Sequence, residues 1–166
     1  FYPDSYERYF GDGLADVGDV NGDGLPDLLI EGWERAHLFL GVAGGWPSSV
    51  PTSSADASYM IAEASWRGPW AGAGDVNGDG LDDFLVTDGC NDEGGEDAGK
   101  TWLFFGRTSG WAADTSLDDA DAPFVGELSS DYSGMGSNGY GARGVGDVAG
   151  DGFDDLLIGA PGNDEA

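Results

Sequence analysis

Three stretches of this chain carry side-chain oxygens at a spacing that suits a hard cation. Asp19, Asn21, Asp23 and Asp27 take positions 1, 3, 5 and 9 of the first, and Asp75, Asn77, Asp79 and Asp83 take them in the second. The third has Asp147, Asp151 and Asp155, with Ala149 at position 3. In a loop coiled about a centre these side chains point inward. The backbone carbonyl at position 7 (Leu25, Leu81 or Phe153) can face the same centre. Glycine at position 6 permits the left-handed turn that closes the coil. Carboxylate, amide and carbonyl oxygens are the set Ca2+ prefers, and the first half of each loop matches the EF-hand pattern, glycine included. Mg2+ rarely uses an all-protein oxygen cage. An EF-hand ends with Glu at position 12 and runs into a helix. Here the last carboxylate is at position 9 and an apolar run comes next. One such loop alone reads equally as an Asx-rich turn; three before matched apolar runs predict three Ca2+ sites. The third, lacking a ligand at Ala149, should bind more weakly.

The elements that position these residues recur with them. Asp19 and Asp75 lie 56 residues apart, and Asp75 and Asp147 lie 72 apart. His37-Leu38-Phe39-Leu40-Gly41 aligns with Trp102-Leu103-Phe104-Phe105-Gly106 at an offset of 65, which also carries Gly45-Trp46 onto Gly110-Trp111. Insertions in TDGCNDEGGEDAGKT and SSDYSGMGSNGYGA account for the unequal spacing. Both are rich in Gly, Ser and Asp, as surface hairpins should be. The repeat then has four strands. One leads into the loop. A second leaves it, over 27–30, 83–86 or 155–158. An aromatic third covers 37–40 or 102–105. A fourth lies near 58–61 or 123–125. The second strands are apolar on both faces, so they should be covered on both. No window shows sustained helical periodicity with capping, so almost no helix is expected. The reading is all-β: four-stranded antiparallel propeller-type blades, about two and a half repeats, with units near 10–65, 66–135 and an incomplete 136–166.

Composition narrows the function. The 166 residues hold 32 acidic and six basic side chains, a net charge of −26. Such a chain repels nucleic acid and anionic membrane surfaces. Three bound Ca2+ would offset six of those charges. The 12% aromatic content and the repeated apolar strands argue against disorder. One cysteine and one histidine exclude the usual Cys/His zinc sites and any internal disulfide. Cys90 reads as a passive thiol, with an intermolecular disulfide as the sharper alternative. No run reaches the length of a membrane-spanning helix, and FYPDSYERYF is not a signal peptide.

These residues resemble the FG-GAP repeat, the unit of the integrin alpha-subunit β-propeller. Phe10-Gly11 stands where the "FG" falls in the first unit, and Gly159-Ala160-Pro161 is a literal "GAP" after the third apolar strand. The first two units depart there, with Glu31-Gly32 and Thr87-Asp88-Gly89. The Asp-Ala stretches and GAPGNDE are also similar to repeats of large secreted bacterial proteins of this class. The resemblance implies calcium-binding blades, an extracellular location, and a role in adhesion or ligand binding, with the loop oxygens above as ligands. A family propeller usually has seven blades, whereas three loops stand here. Either the sequence is part of a longer propeller, or neighbouring copies complete its open blades by strand addition, as in a filament.

Catalysis is not expected within these residues. The loop carboxylates, which could otherwise supply an acid/base pair, read as calcium ligands, and no G-x-S-x-G, Cys/His pair or His cluster appears. A role as accessory module of a secreted hydrolase is a remote alternative. The partners expected are a protein or glycan ligand, or copies of the chain itself. Trp46, Trp102 and Trp111 sit at repeated or core positions and read as packing. Trp33, Trp66 and Trp70 lack aromatic counterparts and are the first place to look for a ligand.

Overall fold

The computed structural model describes residues 1–4, 7, 9–32, 35–60, 70–136 and 141–164. They form an all-β array of open antiparallel sheets. The first sheet holds β1 (Leu14–Gly18), β2 (Asp27–Glu31), β3 (Arg35–Phe39) and β4 (Ala57–Met60), paired in chain order. The second repeats this plan with β5 (Ala71–Gly74), β6 (Asp83–Asp88), β7 (Lys100–Phe104) and β9 (Ala122–Val125). The third consists of β10 (Ala142–Gly146) and β11 (Asp155–Ile158). Two three-residue 3-10 turns, Thr52–Ser54 and Leu117–Asp119, are the only helical pieces among the described residues. The expected blades, two with four strands and one begun, are what the chain builds.

Each loop leaves its first strand through the same irregularity. The ladder shifts register between Asp16 and Gly18, between Gly72 and Gly74, and between Gly144 and Gly146. The second residue of each pair, a glycine in all three, has φ of +75°, +75° and +73°. A left-handed residue at a bulge bends the strand and re-aims the residues after it. The acidic loop is therefore delivered at one fixed angle to each sheet.

The sheets stack face to face. Val17, Leu29, Leu38 and Tyr59 of the first meet Phe84, Val86, Trp102 and Phe104 of the second. The Phe84 and Phe104 rings stack at 5.4 Å, and Tyr59 lies 4.9 Å from Phe104. The opposite face of the second sheet, with Leu85 and Leu103, packs on Ala142, Leu156 and Ile158 of the third. The outer face of the first sheet carries Ile30 and Phe39, covered by Phe10 and Trp46. Phe1 closes on that face, 4.8 Å from Phe39 and 5.2 Å from Trp46.

A second joint links blades at their outer rims. β8 (Thr115–Ser116) leaves the second unit and pairs in parallel with β4, Tyr59 to Thr115 and Met60 to Ser116. Tyr2 pairs in parallel with Pro51, 65 residues before Ser116, in the same arrangement.

Three expectations change. The third apolar strand is not covered on both faces: Leu157 is 58% exposed, against 1% for Leu29 and 0% for Leu85. No described element lies on its far side. The two insertions are not separate hairpins. Ser130, Tyr132 and Ser133 donate to the carbonyls of Glu96, Asp97 and Ala98, at 2.8, 3.1 and 2.8 Å. Gly134 then donates to Gly159 of the third unit at 2.8 Å, so the paired insertions brace the second blade against the third. Trp70 lies in the core between the first two sheets, 7% exposed, because the interface there needs a large apolar body. It offers no surface to a ligand. Trp33 and Trp66 fall outside the described residues.

Phe104 is fully buried at the first interface. Phe104→Ala should lower the unfolding free energy by about 3–5 kcal/mol, whereas Leu157→Ala should change it by less than about 0.5 kcal/mol. Urea titrations of the two variants check the contrast.

Candidate metal centre

The three loops fold alike because the first-position carboxylate organises each one. Asp19 accepts hydrogen bonds from the amides of Gly22, Asp23 and Gly24 at 2.8, 3.0 and 2.7 Å. Asp75 accepts from Gly78, Asp79 and Gly80 at 2.7, 3.0 and 2.9 Å. Asp147 accepts from Gly150, Asp151 and Gly152 at 2.6, 3.0 and 3.0 Å. Successive amides pointing at one carboxylate curl the chain around it. The position-6 glycines complete the curl at φ of +85°, +88° and +93°.

Positions 3 and 5 lock onto one another. The Asn21 side-chain carbonyl accepts from the Asp23 amide at 2.8 Å, and its NH2 donates to the Asp23 carboxylate at 3.1 Å. Asn77 and Asp79 repeat this at 2.8 and 2.9 Å. Ala149 makes neither bond. The position-5 carboxylates accept from the position-7 amides: Leu25 at 2.9 Å, Leu81 at 2.9 Å and Phe153 at 3.1 Å.

The ninth-position carboxylates are the buried members. Asp27 and Asp83 are both 0% exposed. Asp27 accepts from Val20 at 2.9 Å and from Gly41, just past β3, at 2.6 Å. Asp83 accepts from Val76 at 3.0 Å and from Gly106 at 2.8 Å. Asp155, half-buried, accepts from Val148 and Ala149, both at 2.8 Å. Burial raises the Asp27 pKa, the two amide bonds oppose the rise, and the Asp23 and Asp19 charges add to it. For Asp83 burial lifts the pKa to about 6, against the bonds from Gly106 and Val76 and with help from Asp79 and Asp75. None of the ion pairs among the described residues reaches a loop carboxylate.

The donor set fits a hard divalent ion. It is all oxygen, it concentrates negative charge beside a buried carboxylate, and a cation would relieve both burdens. The geometry is not that of a closed cage. Among the described residues no group of three or more His, Cys, Asp or Glu side chains is gathered tightly enough to hold an ion. Positions 1, 3 and 5 come together through the loop's own hydrogen bonds, while position 9 is turned onto backbone amides at the base. Asp19 Oδ1, Asp75 Oδ1, Asp147 Oδ1 and Asp155 Oδ2 each accept two amides already, while the other oxygen of each of these carboxylates accepts at most one and keeps a lone pair to offer.

Asp82 and Asp154, at position 8, join successive loops, a contact that the spacing alone did not single out. Asp82 accepts from the Asp19 amide of the preceding loop at 2.7 Å, and the Asp82 amide donates to the Asp19 carbonyl at 3.1 Å. Asp154 and Asp75 repeat the pair at 3.0 and 3.1 Å. The signal was there: an acid recurs at position 8 in two loops, and Pro26 replaces it in the other.

Comparison with known proteins agrees with this architecture. Residues 19–86 match the family model described as FG-GAP-like repeat, and that stretch is an FG-GAP-like repeat, as the motifs indicate. The chain is similar to integrin alpha-IIb of Mus musculus, 30% identical over 168 residues covering 93% of this chain and 15% of that protein. Integrin alpha-7 of Homo sapiens is 30% identical over 164 residues, covering 91% and 12%. Human integrin alpha-IIb is 29% identical over 173 residues, covering 93% and 15%. The chain thus spans less than a fifth of the length of these relatives.

The raised Asp83 pKa has a signed consequence in chelator. An unfolded Asp titrates near ~3.9. Between there and about 6 the folded state binds the proton more tightly, so rising pH removes stability; above that window the loss is constant. Asp83→Asn has no such titration. The stability of wild type relative to Asp83→Asn should therefore fall as pH rises from about 4 to about 6 and then level off. Chemical denaturation at stepped pH reads this; a relative stability that rises with pH contradicts it.

Proposed function

We propose that the chain is a non-enzymatic, calcium-binding part of an extracellular FG-GAP β-propeller that acts in adhesion or ligand binding. The observation that carries the calcium reading is the pair of fully buried carboxylates, Asp27 and Asp83, each surrounded by further loop acids and without a cationic partner among the described residues. A buried charge without compensation is costly. A hard divalent ion held by Asp19, Asn21, Asp23, Asp27 and the Leu25 carbonyl supplies that compensation, and the second loop offers the same donors. The third loop would hold its ion through Asp147, Asp151, Asp155 and the Phe153 carbonyl, with water in place of a side chain at Ala149. The adhesion role rests on the similarity to integrin alpha chains. No helix among the described residues is long and apolar enough to cross a membrane. The ligand would be a protein or a glycan.

Folding is then coupled to the ion. Excess Ca2+ should raise the melting temperature relative to chelator, and an unchanged value would falsify the calcium reading. Calorimetric titration should resolve two tighter sites and one weaker. Ala149→Asn should bring the third to within about threefold of the others, since it restores the ligand the other loops have; no change in the weak site would show that position 3 is not a ligand.

A further inference from the structure

The acidic loop imposes a chemically labile dipeptide on the chain, and does so twice. Position 4 has to be glycine. Gly22 and Gly78 sit at φ of +78° and +76°, where any side chain is strained. A Cβ on Gly22 would also overlap Leu81, and one on Gly78 would overlap Phe153. Position 3 has to offer an acceptor and a donor together. Asn21 takes the Asp23 amide on its carbonyl and gives its NH2 to the Asp23 carboxylate, and Asn77 does the same with Asp79. Asparagine is the short side chain that carries both functions. The two demands meet in Asn21-Gly22 and Asn77-Gly78. Asparagine is a thermolabile residue, and a glycine after it leaves the next main-chain nitrogen open to approach.

We propose that Asn21 and Asn77 are sites of self-modification by deamidation, held back by the folded loop and released when the loop opens. In the first loop the Gly22 nitrogen bonds to the side-chain carbon of Asn21, Cγ. The Cγ–Nδ2 bond breaks, and Nδ2 leaves as ammonia with the proton that the glycine nitrogen gives up. Water then opens the cyclic imide at one of its two carbonyls. The product is aspartate, or isoaspartate with the main chain rerouted through the former side chain. Asn77 and Gly78 react alike. The folded loop blocks the first step in two ways. The Gly22 N–H donates to Asp19 Oδ1 at 2.8 Å, and the Gly78 N–H to Asp75 Oδ1 at 2.7 Å. Loss of that proton would leave a lone pair aimed at a carboxylate instead of at Cγ, facing a like charge. The Asn side chain is meanwhile held at both polar atoms, so Cγ is not free to turn toward the nitrogen. Neither product can rebuild the lock. Aspartate puts a second carboxylate where the NH2 met Asp23 at 3.1 Å or Asp79 at 2.9 Å. Isoaspartate adds a carbon to the curl. The third loop, with Ala149 before Gly150, has neither the lock nor the lability. A further pair, Asn138-Gly139, lies outside the described residues.

The test ages the chain at mildly alkaline pH in chelator, which keeps any bound ion out of the result. Peptide mass spectrometry reads Asn21, Asn77 and Asn138 separately. Deamidation raises the mass and adds a negative charge, whereas isomerisation of an Asp-Gly bond does neither. Asn21 and Asn77 should deamidate about tenfold or more slowly in the folded chain than in the same chain unfolded by guanidinium. Equal rates, or no deamidation of either in guanidinium, would overturn the proposal. Asp19→Ala should speed reaction at Asn21 by about tenfold or more and spare Asn77, and Asp75→Ala should do the reverse. Unchanged rates in these variants would mean that the carboxylate is not the guard. Should a variant fail to fold, the comparison of folded and unfolded wild type still decides. The modified fraction, separated by its extra charge, should exchange the Asp23 or Asp79 amide about tenfold faster than the parent. Equal exchange would show that the lock survives the reaction and refute its loss.

Discussion

The rest of the structure depends on the carboxylate that ends each loop and begins each second strand, fully buried in the first two loops. Asp27 holds the loop through the Val20 amide and the end of β3 through the Gly41 amide. Asp83 does the same with Val76 and Gly106. One side chain therefore fixes loop, strand and hairpin together, and it places a negative charge where no solvent reaches. The first-position Asp then draws three amides around itself. A glycine bulge before the loop sets the angle at which all of this leaves the sheet.

From that constraint comes the stacking. Loops held at one angle to their sheets present Asp19 and Asp75 equally to the next unit, so the same clasp forms twice. The apolar faces beneath are brought into register, Leu29 toward the second sheet and Leu85 toward the third. Polar clasp and apolar core act at the same joint. The clasp gives direction and the core gives burial, which stabilises by roughly 25 cal/mol per Å2 of apolar surface removed from water. Where a unit has no successor among the described residues, as at Leu157, both are missing together.

Much of this was legible in the sequence, for definite reasons. The apolar runs and the recurring Asp-x-Asn-x-Asp-Gly put strands and loops at the right places because both are local: a turn residue and an apolar run need no distant partner to be recognised. What was not legible is contact between units. Asp82 was not singled out, since nothing in its own loop says that Asp19 lies above it. Trp70 lacked an aromatic counterpart and so looked available, yet the interface it fills exists only once two sheets meet. Leu157 matched Leu29 and Leu85 in sequence but not in environment, because its cover must come from another unit. The two insertions are polar, and their mutual hydrogen bonding is invisible to composition.

On the proposed function, an ion closes what the carboxylates leave open. A crystal grown in Ca2+ and measured for anomalous scattering at long wavelength tests this without reference to stability. Strong anomalous peaks are expected within the first two loops, bounded by Asp19, Asp23 and Asp27 and by Asp75, Asp79 and Asp83, with a weaker peak in the third. Loops that keep their carboxylates on backbone amides alone, with no anomalous peak at millimolar Ca2+, would contradict it.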